Sequence, residues 1–481
     1  MPEPKFKELS ETETVDIFDY FIVAPEEWRQ AGEYLAERTR LKGKKPILIS
    51  KDEGYGAEAY RIEIAQDGIK IKTGGENGMR YAVYTLLQAS YDGLPTGVIE
   101  DYPVMEMRAY QLNFRGALRH ASIETICDYI KNCARAKLNT VLIEYDTRFD
   151  HGEYQPNNPF VLSKDEMNML LETARLEGIT VIPLIQTFGH LEFLLSQEKM
   201  KYLREEDHKP KQLCPLNPEA LSFSKELIDM YVDAHPGIKY LHIGCDETNQ
   251  LGKCPKCKEY VEKHGKGGLF AFFVNSLIDH VCKKGITPLI YDDMICANPE
   301  AMEELDRRAV LVYWDYWTGS DPTPLVVARG GWNEALVYDR SSWDKDAVEE
   351  LSELQRKILS SCKPLDLEKD LKEGYLERYR DYLGDGFPKY FKAFPYIEYY
   401  KDQGFKVLTM PTSLGTGDSH LSAPDMNHFA SNIHAFAKRT AQSGLQGMIT
   451  SAWFPFPEAV YPFGIALAGM YSWGLPDEND K

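Results

Sequence analysis

The sequence has few of the features that would direct it to a membrane or to nucleic acid. No apolar run reaches about 18 residues, the minimum for a membrane-spanning helix. The first residues, MPEPKFK, lack the apolar core of a signal peptide. Basic residues are too few for a polyanionic partner, because 74 acidic side chains outnumber 55 basic ones and leave a net charge of −19. We therefore expect a cytoplasmic protein with a neutral or cationic ligand and with no nucleic-acid or membrane partner.

Several signatures of catalytic sites are also missing. The sequence has no serine or cysteine in a recognisable nucleophile elbow, no glycine-rich phosphate loop and no HxH or HxxxH spacing of histidines. It also has no internal repeat and no low-complexity tract. These absences give a catalytic metal site little support, so we predict neither a metal nor a cofactor.

The cysteines do not suggest a disulfide framework. There are nine of them, an odd number, scattered along the chain, which is typical of free thiols in a reducing compartment. Cys254 and Cys257 form a CxxC motif, but no second CxxC follows at the spacing of a zinc ribbon. A structural zinc site and a tight turn with Cys245 nearby are both open interpretations, and the turn is favoured.

Residues 1–100 are predicted to form a small α+β domain. Residues 60–65 and 68–72 alternate between apolar and polar side chains around a Gln66-Asp67-Gly68 turn, which indicates a β-hairpin. Two prolines and several turn-forming residues lie between 93 and 106, so the domain boundary is expected there. The other predicted elements are strands at 20–23 and 46–50 and helices at 26–38 and 78–91.

From residue 108 to 481, strand and helix patterns alternate eight times, which predicts a (β/α)8 TIM barrel. The predicted strands are 109–114, 140–144, 180–185, 240–244, 287–291, 310–314, 405–410 and 447–452. The predicted helices are 123–136, 164–178, 218–234, 269–285, 424–443 and 461–473. A charged segment at about 320–385 breaks the alternation late in the barrel and is predicted to be a helical insertion. It is interpreted as a lid, as the surface of a homodimer or as solvated decoration.

The stretch YLHIGCDE at 240–247 is the most informative of the strand ends. An apolar run typical of a buried strand ends in Asp246 and Glu247, and buried carboxylates need partners or a shifted pKa. In a barrel of this kind, reactive residues lie at the carboxyl ends of the strands. The other strand ends are also acidic and aromatic: Asn113 and Arg115, Glu144 and Asp146, His190, Tyr291 to Asp293, Trp314 to Trp317, Asp418 and His420, and Trp453 and Glu458. Aromatic faces beside carboxylates suit a sugar ring.

Each of these residues also has a structural interpretation. Trp314, Trp317 and Trp453 would be ordinary core residues, and His190 a loop histidine with a satisfied hydrogen bond. Asp292 and Asp293 would be helix caps, as would the Asp246-Glu247 pair. The functional interpretation is supported because acidic and aromatic residues recur at the strand ends, and all of these ends are predicted to lie on one face of the barrel.

The sequence resembles glycoside hydrolase family 20, the β-N-acetylhexosaminidases, with the strongest likeness to its hexosaminidase D branch. The matching stretches are IEYD at 143–146, IPLIQTFGHLEF at 182–193, LNP at 216–218, LHIGCDE at 241–247, TPLIYDDM at 287–294 and YWDY at 313–316. The hairpin at 60–72 and YAVYTLLQ at 81–88 also resemble the small domain that precedes the barrel in this family. The likeness covers most of the chain outside the 320–385 segment.

The resemblance implies an exo-acting, retaining hydrolase that removes terminal β-linked GlcNAc or GalNAc from a glycan by substrate-assisted catalysis, in which the acetamide of the sugar is the nucleophile. It implies that Glu247 is the general acid and base, with a pKa raised by partial burial and by the neighbouring carboxylate. Asp246 would bind the acetamide N–H, and His190 would support Glu247 through a relay with Asp146, or alternatively Glu144. The implied sugar-binding residues are Glu144, Arg115, Tyr291, Asp292, Trp314, Tyr316, Trp453 and Glu458.

The sequence departs from the family pattern at three places. Many members carry a tryptophan at the position of Tyr291, and strand one carries Asn113-Phe114-Arg115 in place of an Asp-x-x-Arg segment. Arg115 is therefore a weak candidate for binding sugar hydroxyls. No tyrosine in 412–420 is placed to hold the acetamide oxygen, a role that Tyr316 would then take. A non-catalytic N-acetylhexosamine-binding barrel and a metal-dependent hydrolase are the alternative interpretations.

Overall fold

The computed structural model describes residues 3–298, 300–316, 325–326, 337–338, 353, 396–415, 425–453 and 460–474. The first part of the chain forms a six-stranded mixed sheet in the order β1-β6-β4-β5-β3-β2. Its strands are β1 (Phe6–Val15), β2 (Tyr20–Val23), β3 (Lys45–Lys51), β4 (Tyr60–Ala65), β5 (Gly68–Thr73) and β6 (Leu94–Asp101), with helices α1 (Arg29–Thr39) and α2 (Glu76–Ala89). The predicted hairpin is β4–β5, and its alternating side chains put Ile62, Ile64 and Ile71 into the core.

The expected turn-rich segment at 93–106 is wrong in its first half, because β6 lies there and pairs with both β1 and β4. Pro95 and Gly97 are tolerated in this strand because its register with β1 is interrupted between Leu9 and Thr14. Gly97 has a φ of 138°, and a Cβ there would lie 2.1 Å from the carbonyl oxygen of Glu8. The strand therefore depends on this glycine at its irregular edge.

The predicted (β/α)8 barrel is confirmed: in the described part of the chain, eight parallel strands close through the pairing of the last strand with the first. These strands are β7 (Met107–Asn113), β8 (Thr140–Glu144), β9 (Thr180–Leu184), β12 (Tyr240–His242), β13 (Thr287–Tyr291), β14 (Val310–Trp314), β17 (Lys406–Met410) and β19 (Gly447–Ala452). The helices are α3 (Ile123–Arg135), α4 (Lys164–Leu176), α5 (Glu192–Leu195), α6 (Pro218–Ala234), α7 (Pro255–Lys283), α8 (Asp293–Ala297), α9 (Ala301–Glu304), α10 (Tyr396–Asp402), α11 (Met426–Gln442) and α12 (Tyr461–Trp473).

Apart from the first sheet, five short strands in the described residues lie outside the eight strands of the barrel. A hairpin of β10 (Arg204–Glu206) and β11 (Lys209–Leu213) follows the β9 loop, and β18 (Thr412–Leu414) pairs with β19. In the 320–385 segment the structure describes an antiparallel pair, β15 (Leu325–Val326) and β16 (Val337–Tyr338), and residue 353. The predicted helical insertion otherwise lies outside the described residues. No helix among the described elements is long and apolar enough to cross a bilayer.

The inside of the barrel is a packed core. Aliphatic residues from seven of the strands fill it and exclude water, and Tyr291, Trp314 and Trp453 pack at its carboxyl end. Helix α7 is longer than predicted and contains a break at Gly265, where φ is 72°. The core thus forms the floor on which the loops at the carboxyl ends of the strands rest.

Charged residues also lie at the amino end of the barrel, where it meets the first sheet. Arg108 donates two hydrogen bonds to Glu58, at 2.7 and 2.8 Å. Lys137 contacts Asp101 and Tyr60, both at 2.7 Å, and Trp473 donates to Asp101 at 2.9 Å. This cluster ties the sheet to the barrel.

Candidate active site

Asp246 and Glu247 follow β12 in a turn that lets both carboxylates face the same space. Neighbouring side chains on a strand point to opposite faces. Here the φ angles of Gly244, Cys245 and Glu247 are all positive, at 66°, 71° and 46°, so the backbone turns sharply around the pair. Gly244 is required because a Cβ at that position would lie 2.0 Å from the side-chain oxygen of Gln186.

Strained backbone is concentrated at this end of the barrel. Among the described residues, six that are not glycine have a positive φ, and four of them follow barrel strands: Asp146, His190, Cys245 and Glu247. Such a conformation costs about 1–3 kcal/mol at each residue and persists where the surrounding structure holds it for a purpose. The four residues come from three different strand ends, which marks this face as the candidate site.

His190 joins the two carboxylates. Its Nε2 lies 3.3 Å from Oδ2 of Asp246 and 3.2 Å from Oε2 of Glu247. Lys211, on β11, reaches the same Glu247 oxygen at 3.2 Å. The backbone N–H of Glu247 donates to Asp293 at 2.9 Å. Glu247 is therefore held by two cationic partners and one backbone contact.

The charge state of this cluster contradicts one expectation from the sequence, the raised pKa of Glu247. Burial alone would raise the pKa of Glu247, but the contacts from His190 and Lys211 outweigh it and lower the pKa to about 2. Burial alone would lower the pKa of His190, but Asp246 and Glu247 outweigh it and raise the pKa to about 10. The expected rise in the pKa of Glu247 is wrong for this conformation, because the proton of the cluster resides on His190.

Arg115 lies between the acids of β8 and His190. Its guanidinium is 3.6 Å from Asp146, 3.7 Å from Glu192 and 3.5 Å from Nδ1 of His190. Within the described residues no hydrogen bond joins Asp146 directly to His190, because Arg115 lies between them. A guanidinium has no acceptor and cannot relay a proton, so the expected relay stays a prediction. Glu144 accepts a hydrogen bond from Gln111 at 3.3 Å, and burial raises the pKa of Glu144 to about 7 despite the opposing charge of Arg115.

Four aromatic residues form one wall of the site. Tyr291 and Trp453 are 6.3 Å apart between ring centroids, and Trp314 stacks on Tyr316 at 4.9 Å. The indole N–H of Trp453 donates to the hydroxyl of Tyr316 at 2.6 Å. The hydroxyl of Tyr291 is buried and has no hydrogen-bond partner in the described part of the chain. The wall therefore combines flat apolar faces with one unused polar group.

Two models of one protein family match the chain. The model described as "Glycosyl hydrolase family 20, catalytic domain" matches residues 110–331, and "Glycosyl hydrolase family 20, domain 2" matches residues 22–102. Together these matches cover more than half of the chain. The chain belongs to glycoside hydrolase family 20. The resemblance drawn from the sequence motifs is thereby confirmed.

Hexosaminidase D proteins are among the similar relatives. The one from Bos taurus is 33% identical over 192 residues, which cover 38% of this chain and 56% of the relative. The one from Homo sapiens is 31% identical over 225 residues, which cover 45% of this chain and 46% of the relative. The matches thus span only about half the length of either relative.

The fold is shared with solved structures of the family. A β-N-acetylhexosaminidase from Bacteroides fragilis aligns with a TM-score of 0.66 over 100% of this chain and 92% of that one, at 18% identity. The comparison supports the arrangement of a small sheet-containing region before a barrel.

Asp292 has protein partners that the sequence did not suggest. Its carboxylate accepts hydrogen bonds from the Tyr400 hydroxyl at 2.9 Å and from the backbone N–H of Trp314 at 3.3 Å. These contacts anchor the end of β13 to α10 and β14. Its neighbour Asp293 is the residue that contacts Glu247. Trp317, Asp418, His420 and Glu458 lie outside the described residues.

Lys211, Glu192 and Gln111 were not assigned to the site from the sequence, and Asp293 was noted at a strand end without a role. Lys211 lies on a hairpin whose strands are three and five residues long, too short for a periodic signal. Glu192 lies two residues after His190 of the FGH segment, and that position was the available signal. Gln111 lies inside β7, where a buried polar side chain in an apolar strand was the clue.

Proposed function

We propose that this protein is an exo-acting, retaining β-N-acetylhexosaminidase that hydrolyses terminal β-linked GlcNAc or GalNAc by substrate-assisted catalysis. Membership of family 20 and the Hexosaminidase D relatives support the activity. The hydrolysis of N-acetylhexosamine-terminated glycans requires one proton donor, one group that orients the acetamide and an apolar surface for the sugar ring. The chain offers all three at one end of its barrel.

One observation carries this proposal. The Oδ1 atom of Asp246 is buried and has no hydrogen-bond partner among the described residues, while Oδ2 contacts His190. A buried carboxylate oxygen without a donor is costly, by about 1–3 kcal/mol or more, unless a ligand supplies one. An acetamide N–H is a donor of the right kind. Asp246 would thus orient the acetamide so that its carbonyl oxygen attacks the anomeric carbon.

The first step would form a bond between the acetamide oxygen and the anomeric carbon while the glycosidic bond breaks. Glu247 would donate a proton to the leaving oxygen, and the ionised Asp246 would stabilise the positive charge of the oxazolinium intermediate. In the second step Glu247 would take a proton from water as the water attacks the same carbon, and the bond between that carbon and the acetamide oxygen breaks, which regenerates the acetamide. Configuration is retained because the carbon is inverted twice.

Glu247 must receive its proton before the first step, and both His190 and Lys211 contact its Oε2 at 3.2 Å. We take His190 as the donor because it also contacts Asp246, which would bind the substrate. The charge of Asp246 raises the pKa of His190. When the acetamide N–H occupies Asp246, that carboxylate holds His190 less strongly, and the pKa of His190 falls. The proton can then cross the 3.2 Å contact to Glu247. Arg115 and Asp146 would position His190 from its other side.

The aromatic wall is proposed to hold the sugar. Trp314 and Trp453 would pack against the ring and the acetamide methyl. The Tyr291 hydroxyl would donate to the acetamide oxygen, because it is buried without a partner in the described chain. The Tyr316 hydroxyl accepts from Trp453, which does not use its own proton, so Tyr316 stays the alternative donor predicted from the sequence. Glu144, Arg115 and Glu458 stay predictions for contacts to sugar hydroxyls, and Asp292 is a weaker one because of its protein partners.

The decisive experiment is turnover of the methyl and aryl β-glycosides of GlcNAc and GalNAc. Glu247→Gln should lower kcat on the methyl glycoside by about 10³-fold, since an unactivated leaving group needs the acid. Glu226→Gln, an exposed substitution on α6, is the matched control and should keep wild-type activity. A thiazoline mimic of the cyclised intermediate should inhibit competitively.

The same assays separate the alternatives. Sugar binding without turnover would make the chain a non-catalytic N-acetylhexosamine-binding barrel. Turnover that persists in Glu247→Gln on the methyl glycoside would remove Glu247 from its role. Loss of turnover with a chelator that is restored by a divalent metal in the sugar site would indicate a metal-dependent hydrolase instead.

A further inference from the structure

Four potential metal ligands meet beside the barrel, outside the sugar site. Glu205 lies on β10, Cys214 follows β11, and Cys254 and Cys257 are the CxxC pair at the start of α7. The sulfur of Cys214 is 3.7 Å from that of Cys254 and 3.6 Å from that of Cys257. The four ligand atoms all lie within 4.8 Å of one another.

The sulfur spacing matches a tetrahedral metal site. Zinc binds thiolates at about 2.3 Å, so two sulfurs on a tetrahedron are about 3.8 Å apart. A disulfide would need a sulfur distance of about 2.05 Å. The observed contacts of 3.6 and 3.7 Å agree with the edges of the tetrahedron. A turn at 249–252 precedes the CxxC pair as expected. The expectation that Cys245 lies close to the pair is wrong, because the third cysteine there is Cys214 and Cys245 contacts Thr187 and Ile243.

Glu205 supplies an independent observation. Its side chain is only 3% exposed. One carboxylate oxygen accepts from the backbone N–H groups of Lys253 and Cys254, at 2.7 and 2.9 Å, and the other is buried with no hydrogen-bond partner in the described residues. Among those residues no lysine, arginine or histidine forms an ion pair with it. A cation bound beside the three thiols would satisfy the second oxygen of this buried carboxylate.

We propose that Cys214, Cys254, Cys257 and Glu205 bind one structural zinc ion. Three sulfurs and one oxygen complete a four-coordinate site, which leaves no position for a substrate or for a reactive water. Soft thiolate ligands in a tetrahedral arrangement favour zinc over calcium, magnesium or manganese. The backbone N–H of Cys257 donates to the sulfur of Cys254 at 3.4 Å, a contact that stabilises a thiolate ligand.

The zinc ion would fasten the β10–β11 hairpin to the start of α7. The hairpin also carries Lys211, which contacts Glu247, and its backbone is tied to the His190 loop. The Leu191 N–H donates to the carbonyl of Lys211 at 3.0 Å, and the Leu213 N–H donates to that of Phe188 at 3.1 Å. The metal would therefore support one border of the sugar site without taking part in the reaction.

The test is metal content of the full chain after purification without chelators or affinity metals. Elemental analysis should find about one zinc per chain, as a single four-ligand site requires. Cys254→Ser and Glu205→Gln should lose most of it. Cys282→Ser removes a partly exposed cysteine from the same helix, outside the cluster, and should retain the zinc.

Two further measurements do not depend on activity. Replacing the metal with Co²⁺ should give intense thiolate-to-cobalt charge-transfer absorption in the wild type and in Cys282→Ser but not in Cys254→Ser. A chelator should lower the thermal midpoint of the wild type by several degrees, and added zinc should restore it. If Cys254→Ser does not fold, the cobalt spectrum of the wild type still decides the matter.

The proposal is overturned if the wild type is folded, carries no zinc, takes up no Co²⁺ with thiolate absorption and is indifferent to chelators. Stoichiometric iron or copper would overturn the assignment to zinc. None of these outcomes depends on sugar hydrolysis, so a failure here leaves the proposed function untouched, and the reverse is equally true.

Discussion

The two ends of the barrel both bury charge, and they do so differently. At the amino end, both oxygens of Asp101 accept hydrogen bonds. One oxygen accepts from Lys137, Tyr60 and Trp473, and the other accepts from backbone N–H groups. At the carboxyl end, Asp246 shares His190 with Glu247 and keeps one oxygen without a partner in the described chain. The first cluster is complete without a ligand, and the second is not.

The difference shows what distinguishes a candidate site from a structural cluster. Burial alone does not, because Lys137 and Arg108 are as buried as any residue of the site. Positive φ alone does not, because Lys137 also has a φ of 63°. Unsatisfied polar atoms that converge on one space do distinguish it, since folding tolerates them only where a ligand completes them. Matched substitutions at the two ends test this contrast.

The largest effect is expected for Asp246→Asn. The amide cannot stabilise the positive charge of the intermediate, and its N–H₂ group competes with the acetamide N–H, so kcat on aryl N-acetylhexosaminides should fall by about 10³-fold. The thermal midpoint should fall less than in Asp101→Asn, because Oδ1 has no protein donor to lose among the described residues and only the contact of Oδ2 with His190 is weakened. Steady-state kinetics and thermal unfolding measure the two effects.

Asp101→Asn makes the same chemical change at the amino end. It should lower the free energy of unfolding and leave kcat of the folded protein unchanged. An Asp246→Asn protein with wild-type kcat would end the substrate-assisted mechanism. An Asp101→Asn protein with wild-type stability would contradict the proposed difference between the two clusters.

The next largest effect is expected for Lys137→Met. Its removal leaves the carboxylate of Asp101 buried without a cation, which should lower the free energy of unfolding by about 3–5 kcal/mol. Chemical denaturation of the full chain measures this loss. The double variant Lys137→Met with Asp101→Asn should recover part of it, because no uncompensated charge then remains. Equal losses in the single and double variants would contradict the argument.

The barrel could be predicted from the sequence because each of its strands has an apolar run between turn signals, and eight such runs admit few other folds. Strand β6 was missed because Pro95 and Gly97 are typical of turns, whereas here they sit at an irregular pairing with β1. The Asp246-Glu247 pair was predictable because two acids ended a buried run.

The charge state of Glu247 could not be predicted in the same way. It depends on Lys211, which is 36 residues away and reaches the site only through the packing of a short hairpin. It also depends on His190 contacting both carboxylates, which the turn at β12 makes possible. The residues that meet the CxxC pair could not be predicted from the sequence either, because Glu205 and Cys214 reach the pair through the packing of the same hairpin. These contacts follow from tertiary structure, which local sequence patterns do not predict.

A smaller effect is expected for Tyr291→Phe. The hydroxyl makes no hydrogen bond to the described protein, so its loss should leave stability unchanged, yet it should lower kcat/KM on N-acetylhexosaminides by about 10-fold if it donates to the acetamide oxygen. Tyr60→Phe is the matched change at the amino end, where the hydroxyl contacts Thr85, Asp101 and Lys137. It should lower stability and spare kcat/KM. The opposite pattern in either variant would contradict the proposed role of Tyr291.

The smallest effect is expected for Lys211→Met, and it should appear in the pH dependence of kcat/KM. Contacts with His190 and Lys211 lower the pKa of Glu247 to about 2, and the two carboxylates raise the pKa of His190 to about 10, so the cluster holds one proton throughout the neutral range. Without Lys211, Glu247 loses a cation and its pKa rises, so the acidic limb moves to higher pH. The alkaline limb should also move to higher pH, by less than the acidic limb, because Lys211 repels the proton on His190. An acidic limb that moves downward, or does not move, would show that Lys211 does not control the charge of Glu247.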